Sequence, residues 1–431
     1  MRDMTLTDLG PYPDEAGYDP AVSLDESDPL APFRKRFVET DPDLLYLDGN
    51  SLGRLPKRTA VLVDEVTRQQ WGERLIRSWN EGWWELQLRL GDKLAPLVGA
   101  RPGEVIISDS TSVNLYKLAL AALNTSTEDR TTVVTDDLNF PSDVYILEGL
   151  ARQVGGELVI VPSDGINGPV EPLVDTIDEH TALVCLSHTT FKSGYTYDMT
   201  EITEAAHEAG AKMLWDVSHS VGVVPIDFES SGTDLAIGCT YKYLNGGPGS
   251  PAFLYVRREH QGRLDNPITG WWGHETPFDF DLAFSPVSGI RRFHAGTMPI
   301  LSLAAIEPGL DDVLEAGVEA VRAKSVALTE FLIAETDRNL TSLGLTVASP
   351  REANHRGSHV SLGHGLAWPI TRALVEQARL IPDFRTPDNL RLGLAPLYTS
   401  FVDVHTGVQR IKRVIQQNVH MGYVEAEATV T

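Results

Sequence analysis

The sequence predicts an α/β protein, with a large domain built on a mostly parallel sheet between helices and a smaller α+β domain at the C-terminus. Three observations predict it. Between about residues 104 and 216, short continuous apolar runs alternate with amphipathic stretches, as buried parallel strands alternate with crossover helices. The length, 431 residues, is more than one core usually fills. The pattern then changes after about residue 305, where a long helical stretch gives way to strand-like pieces.

The elements follow in order. Residues 1–55 are rich in Asp and Pro, with little periodicity, and read as an N-terminal arm ending in Leu44-Leu-Tyr-Leu-Asp-Gly-Asn-Ser-Leu-Gly53. Residues 57–97 carry helical patterning and many tryptophans (Trp71, Trp79, Trp83, Trp84). Strands are expected at Val105–Ser108, Thr132–Thr135, Glu157–Val161, Ala182–Ser187 and Lys212–Asp216. Helices are expected at Val113–Leu123, from about Ser142, and from about Thr200 to Ala209. The large domain is taken as 56–305 and the small one as 306–431. In the latter, a helix from Gly309 to about Asp337 precedes strands at Leu345–Ala348 and His359–Leu362 and a helix near Pro369–Ala378.

Composition narrows the function classes. Hydrophobic residues make up 42% and charged residues 22%, ordinary globular usage that excludes a disordered chain. Asp+Glu number 60 against Lys+Arg 36, a net charge of −24, which repels phosphate backbones and anionic membrane surfaces. Neither a nucleic-acid nor a membrane partner is therefore expected. Two cysteines, Cys185 and Cys239, cannot make a disulfide framework and read as buried thiols. The start has neither a basic end nor an apolar stretch, and no 18-residue apolar run occurs, so the expected location is cytoplasmic.

In an open parallel sheet, ligands bind at the carboxyl ends of the strands, and the residues there carry the chemistry. After the first strand, Asp109-Ser-Thr-Ser-Val-Asn114 opens a helix, where hydroxyls and helix-start N–H groups suit a phosphate. After the second, Asn139-Phe-Pro-Ser-Asp143 puts an aromatic ring and a carboxylate on the same rim. The fifth is the most informative. Lys212-Met-Leu-Trp-Asp216 runs apolar into an aspartate, then Val-Ser-His219, and Thr240-Tyr-Lys-Tyr-Leu-Asn-Gly-Gly-Pro-Gly249 follows. A strand-end Asp is costly to bury without a cation, and the protonated pyridine nitrogen of pyridoxal phosphate is one. Lys242, in a glycine-flanked loop, is placed to bond the cofactor's aldehyde carbon. Singly, each residue has a plain structural explanation; in this order they point to the cofactor.

In these residues the chain resembles kynureninase of bacterial type, a pyridoxal-phosphate enzyme family of the aspartate-aminotransferase fold type (fold type I). The resemblance runs from about Leu44 to Phe401. Beyond the motifs above, it is carried by Ile76-Arg-Ser-Trp-Asn80, Gly270-Trp-Trp-Gly-His274, Arg356-Gly-Ser-His-Val-Ser361 and Arg391-Leu-Gly-Leu-Ala-Pro-Leu-Tyr398. It implies that Lys242 carries the cofactor, Asp216 pairs with its pyridine nitrogen, His219 lies beside the ring and Phe140 stacks on it. It also implies that Asp143 and Ser187 contact the cofactor, and that Thr111, Ser112 and Tyr241 bind its phosphate. Trp271 and Thr297 would reach that phosphate from the other subunit of a homodimer. Arg391 would clamp the substrate carboxylate, and Trp79 and His274 would line the pocket for the substrate's aromatic ring.

The implied reaction is hydrolytic Cβ–Cγ cleavage of L-kynurenine to anthranilate and L-alanine, in tryptophan catabolism or NAD biosynthesis. Cleaving that bond leaves electrons on Cβ, so an electron sink at Cα is needed before water adds to the γ-carbonyl. Lys242 would move the α-proton, and Tyr241 would help return a proton to Cβ. The base that hydrates the ketone is not identified by the sequence. Before Met298-Pro299 the family has a Ser-Asn pair tied to accepting a 3-hydroxylated ring; Gly296-Thr297 stands here, which favours kynurenine over 3-hydroxykynurenine. The alternative is another fold-type-I enzyme. A cysteine desulfurase needs a cysteine on a mobile loop, which neither Cys185 nor Cys239 offers, and an aminotransferase would not carry the Gly-Trp-Trp-Gly-His run. His355 and His359 lack the companions of a metal site, and no metal is expected. Because phosphate and carboxylate ligands are anions, the acidic excess is expected on the outer surface, with the site kept cationic by Lys242, Arg391 and helix N-termini.

Overall fold

A computed structural model describes residues 19–425. The chain opens with α1 (Asp19–Glu26) and β1 (Leu45–Tyr46), followed by α2 (Lys57–Glu65) and α3 (Leu86–Leu94). A βα alternation then begins: β2 (Val105–Ile107), α4 (Thr111–Asn124), β3 (Thr132–Asp136), α5 (Pro141–Val154), β4 (Leu158–Val161) and α6 (Val170–Thr176). It continues through β5 (Thr181–Ser187), α7 (Met199–Ala209), β6 (Lys212–Asp216), β7 (Leu235–Gly238), β8 (Phe253–Val256) and the short α8 (Arg258–Gln261).

These seven strands form one sheet in the order β2-β8-β7-β6-β5-β3-β4. Only β8 runs against its neighbours β2 and β7. Alternate residues of each strand face opposite layers, as the two-residue period requires. In β5, Leu183 and Cys185 join the core under α4 and α5, whereas Val184 and Leu186 join the core shared with α3 and α7. Burial on both faces explains why these strands read as continuous apolar runs. The β5–β6 register sets Ser187 beside Asp216, so both strands end on the same rim.

The C-terminal part comprises α9 (Ile300–Ala316), α10 (Val318–Asn339), β9 (Thr346–Val347), β10 (His359–Gly363), α11 (Ala367–Gln377), β11 (Leu380–Ile381), β12 (Asp383–Arg385), β13 (Asn389–Gly393) and α12 (Phe401–Gln416). An antiparallel sheet, β12-β13-β10-β9, packs with α10, α11 and α12 around a separate core. The N-terminal segment joins this core through Ala21, Leu45 and Leu47. Asp25 of α1 accepts the Phe401 and Val402 N–H groups at 2.7 and 3.0 Å, adding to the Ser400–Asp403 capping box of α12. From β1 the chain crosses to the large sheet: Gly393 N donates to Leu47 O at 2.7 Å, and Gly53 N donates to Tyr241 O at 2.8 Å. A Cβ on Gly53 would lie 2.4 Å from Lys242 O, so only glycine allows this approach. The segment 47–53 thus ties the small sheet to the Lys242 turn.

Two expectations differ from the structure. The long helix expected from Gly309 is two helices, α9 and α10, broken at Gly317 with φ +78°. Helix α9 starts earlier, at Ile300, and continues through the expected boundary at 305–306, with Leu303, Ile306, Leu310 and Val313 in the core of the large sheet. The helical stretch at 57–97 is likewise broken: a widened π-helical turn at Val66–Arg74 passes into a 3-10 turn at Leu75–Trp79, and Leu75 has φ +57°.

Candidate active site

A cavity of about 420 Å³ opens at the carboxyl ends of the strands, where α4, α5, the turn after β6 and the Lys242 loop converge. Lys242, Tyr241, Asp216, His219, Phe140, Asp143, Thr111 and Ser112 all line it, although Thr111 and Lys242 are 131 positions apart in sequence.

Lys242 sits in a loop closed by the Gly246 N to Thr240 O bond (2.8 Å) and the Thr240–Ser250 hydroxyl pair (2.7 Å). Its Nζ lies 3.1 Å from His219 Nε2. Burial pushes the Lys242 ammonium down from its ordinary range, so the amine is more readily deprotonated than a surface lysine. His219 is held well below the usual imidazole range by burial and then by Lys242, and is neutral. Tyr241 is pushed up, first by neighbouring Cys239 and then by burial, and keeps its proton.

Asp216 ends β6 and accepts the Ser218 N–H at 2.8 Å. Asp143, from the first turn of α5, lies against it. Burial, followed by the Asp216 charge, drives the Asp143 carboxyl well above its ordinary range, and Asp143 Oδ2 has no hydrogen-bond partner. Two buried carboxylates face to face require a shared proton or a cation between them and the cavity. Phe140, at the helix start, exposes 38% of its surface and meets Phe191 edge-on at 5.3 Å.

Ser187 is brought to this rim but does not line the cavity. Its hydroxyl donates to Asn139 Oδ1 at 2.6 Å, and the same oxygen accepts the Phe140 N–H at 2.8 Å. Ser187 thus sits behind the Phe140 loop and steadies it.

Arg391 is also behind the wall, with its side chain fully buried. The β12–β13 register sets it opposite Asp383, to which Nη2 donates. Nη2 also donates to Ser51 Oγ at 2.8 Å, Nη1 to Phe191 O, and Nε to Asn50 Oδ1 at 3.0 Å once the amide is turned to satisfy both its ends. Arg385 reaches the cavity instead, together with Asn50 and Ser51. It shares Asp383, through Nη1 to Oδ1 at 3.0 Å. Sequence reasoning passed over Arg385, because only the strand register connects it to Arg391.

Trp79, Trp271, His274 and Thr297 do not line this cavity within one chain. Trp271 and His274 border a second depression with Phe280, Leu282 and Phe284. Trp79 packs edge-on against Trp272 at 5.3 Å, and Trp84 stacks on Trp272 at 4.6 Å. The two cysteines are free and buried. Among the described residues, no cluster of three or more His, Cys, Asp or Glu side chains could hold a metal ion, and no helix is long and apolar enough to cross a membrane.

This chain is 43% identical over 403 residues to the kynureninase of Burkholderia pseudomallei (strain 1106a), covering 92% of this chain and 94% of that one. The chain belongs to the kynureninase family. Kynureninase of Pseudomonas fluorescens is 43% identical over 402 residues, covering 92% and 95%. A family profile, the kynureninase C-terminal domain, matches residues 321–411, which include β10, β13 and Arg391. Among solved structures, the Escherichia coli cysteine desulfurase CsdA superposes with a TM-score of 0.77 at 17% identity, covering 90% of this chain and 98% of that one. The apo cysteine desulfurase of Thermococcus onnurineus NA1 gives 0.74 at 18%, covering 92% and 98%. At such identities they share with this kynureninase-family chain its fold alone, the fold type I expected from the sequence.

Proposed function

We propose that this chain hydrolyses L-kynurenine to anthranilate and L-alanine with pyridoxal 5′-phosphate as cofactor. The observation that carries the reading is the pairing, across one cavity of a kynureninase-family chain, of the Lys242 amine with the facing buried carboxyls of Asp143 and Asp216. The residues fit the cofactor. The unpartnered Asp143 oxygen and Asp216 await a cationic N–H, the Phe140 ring offers an uncovered apolar face, and Ser110, Thr111 and Ser112 stand at a helix start suited to phosphate.

When bound, the cofactor supplies an electron sink conjugated to the substrate's α-carbon. Everything else falls to the chain's own residues. Lys242 would hold the cofactor and, when free, would take the α-proton on Nζ, a role suited to an amine that burial keeps readily deprotonated. Neutral His219 accepts a hydrogen bond from Lys242 without competing for charge. Tyr241, protonated at rest, would pass its hydroxyl proton to Cβ and take a replacement proton from solvent. Asp216 holds the pyridine nitrogen proton, with Asp143 beside it. Arg391, exchanging part of its Asp383 and Ser51 bonding, meets the substrate carboxylate through the wall that Arg385 shares.

The reading extends to a homodimer in the cytoplasm. Trp271 and Thr297 then serve the partner's phosphate site, and Trp79 and His274 the ring pocket. In support, Phe278, Phe280 and Leu282 beside them are 65%, 79% and 103% exposed, an apolar surface suited to a second copy of the chain. Two buried free thiols suit a reducing compartment. The division into 1–55, 56–305 and 306–431 is retained as an organisational proposal. Gly296-Thr297 is proposed to favour kynurenine over its 3-hydroxy form.

The test is Lys242→Ala in the purified protein. The expected result is loss of the cofactor's visible absorbance band and of fluorescent anthranilate release; continued anthranilate release would overturn the reading. A ratio of kcat/KM for the two substrates at or below one would overturn the preference for kynurenine.

A further inference from the structure

The phosphate seat carries a carboxylate where an anion is to be held. Asp109 joins β2 to α4 at φ +47° and lines the cavity beside Ser110, Thr111 and Ser112. Its Oδ2 accepts from Ser108 Oγ at 2.9 Å and from Lys117 Nζ at 2.7 Å. Lys117 lies six residues into α4, among its apolar residues, and its side chain is fully buried. Apart from Asp109, its ammonium meets only uncharged oxygens, Phe293 O at 2.8 Å and Ser108 Oγ at 3.4 Å. His294, the other titratable group packed against it, is pushed down to about 3 by burial and then by Lys117, and stays neutral.

A buried ammonium on a helix whose other buried side chains are apolar except for Asn114 is costly, so its place needs a reason. That reason is the Asp109 carboxylate at the other end of its bond. Unanswered, Asp109 would repel a phosphate at the same helix start. Held by Lys117, it is neutralised from behind and turned into a fixed strut, which sets the left-handed turn that presents Ser110 to Ser112. The same ammonium anchors Phe293, four residues before Thr297.

We propose that Lys117 is a positioning residue for the cofactor's phosphate: by neutralising and fixing Asp109 it makes the start of α4 accept an anion. This rests on the cofactor reading above.

The experiment measures the affinity of the cofactor-free protein for pyridoxal phosphate, and for pyridoxal lacking the phosphate, by absorbance titration. The proteins are the wild type, Lys117→Met, Asp109→Asn and the double variant. Lys117→Met is expected to weaken pyridoxal phosphate about tenfold or more, a change of about 1.4 kcal/mol, and to leave pyridoxal unchanged. Adding Asp109→Asn to it is expected to restore affinity to within about threefold of wild type, as removal of a repulsive charge should. Wild-type affinity in Lys117→Met, an equal loss for pyridoxal, or no rescue in the double variant would overturn the proposal and leave the cofactor reading standing. A wild-type chain that binds no pyridoxal phosphate overturns both. If Lys117→Met does not fold, Asp109→Asn alone decides: binding at least as tight as wild type supports the proposal, and a loss of about tenfold or more overturns it.

Discussion

Arg391→Ala is expected to weaken the fold before it says anything about substrate. The side chain is fully buried, and its guanidinium is bonded to Asp383, Ser51, the Phe191 carbonyl and Asn50. Removing it leaves the 3%-exposed Asp383 side chain paired with Arg385. Asp48 suffers too. Its carboxyl is already raised to about 7 by burial and by Asp383, and Arg391 is the first group that opposes this. Deleting one partner of a buried pair costs about 3–5 kcal/mol. For a chain of 431 residues unfolding as one unit, an entropy of about 2.1 cal/mol/K per residue gives about 0.9 kcal/mol/K, hence a fall in Tm of about 3–6 °C. Calorimetry of cofactor-free wild type and variant measures this directly. Ser51→Ala, which removes the hydroxyl's bonds to Arg391 and Asp383 but leaves the charges paired, should cost only about 1–2 kcal/mol. A Tm for Arg391→Ala within a degree of wild type would refute the reasoning, because it would mean Asp383 is not held by this pair. A rise in KM for Arg391→Ala therefore bears on substrate binding only when this loss is measured beside it.

Gly53→Ala should abolish visible cofactor absorbance in an otherwise folded protein, because its Cβ would lie 2.4 Å from Lys242 O and displace the Lys242 turn; retained absorbance would show that the turn can give way. Ser187→Ala should cost about 1 kcal/mol in a urea titration and loosen the Phe140 loop through Asn139, with a modest loss of cofactor affinity; a total loss would instead indicate direct contact. His207 donates to Asp234 at 2.8 Å, which holds its imidazole above the ordinary range. Its contribution is therefore fully present below pH of about 6.5 and is lost as pH rises through the raised value. His207→Ala should thus lower the unfolding free energy from urea titration more at pH 6 than at pH 9, by less than about 1 kcal/mol since the ring is 42% exposed; an equal loss at both pH values would mean the charge plays no part.

The strands of the βα alternation were legible because each is buried on both faces and set off by an amphipathic helix. Strands β7 and β8 were not, because no crossover helix separates β6 from β7 or β7 from β8; the loops between them carry His219 and Lys242 instead. Helices α9 and α10 merged in the sequence because Gly317 is a single residue, with no run of turn residues to mark the break. At the site, residues at strand ends were legible from sheet geometry alone. Those whose position depends on pairing were not. Arg385 faces the cavity and Arg391 lies behind it through the antiparallel register of β12 on β13, which no spacing reveals. Nor does sequence distinguish a residue that serves its own chain's cavity from one that serves a partner's, the question Trp79, Trp271, His274 and Thr297 pose.

The net charge of −24 suggested acids outside and a cationic site within. The cavity is built differently. Its wall holds Asp109, Asp143 and Asp216 against Lys242 and Arg385, with His219 neutral, so its side chains are not cationic in sum. Anions can be held there because each carboxylate is answered individually. Asp109 is bonded from behind by Lys117, and Asp143 and Asp216 face each other and favour a proton or a cation. Arg385 and Arg391 share the single carboxylate of Asp383. Local pairing, rather than a surplus of positive charge, is how an acidic chain would seat the proposed phosphate and carboxylate, because at contact distance in a low-dielectric wall a specific partner outweighs a distant, screened surface.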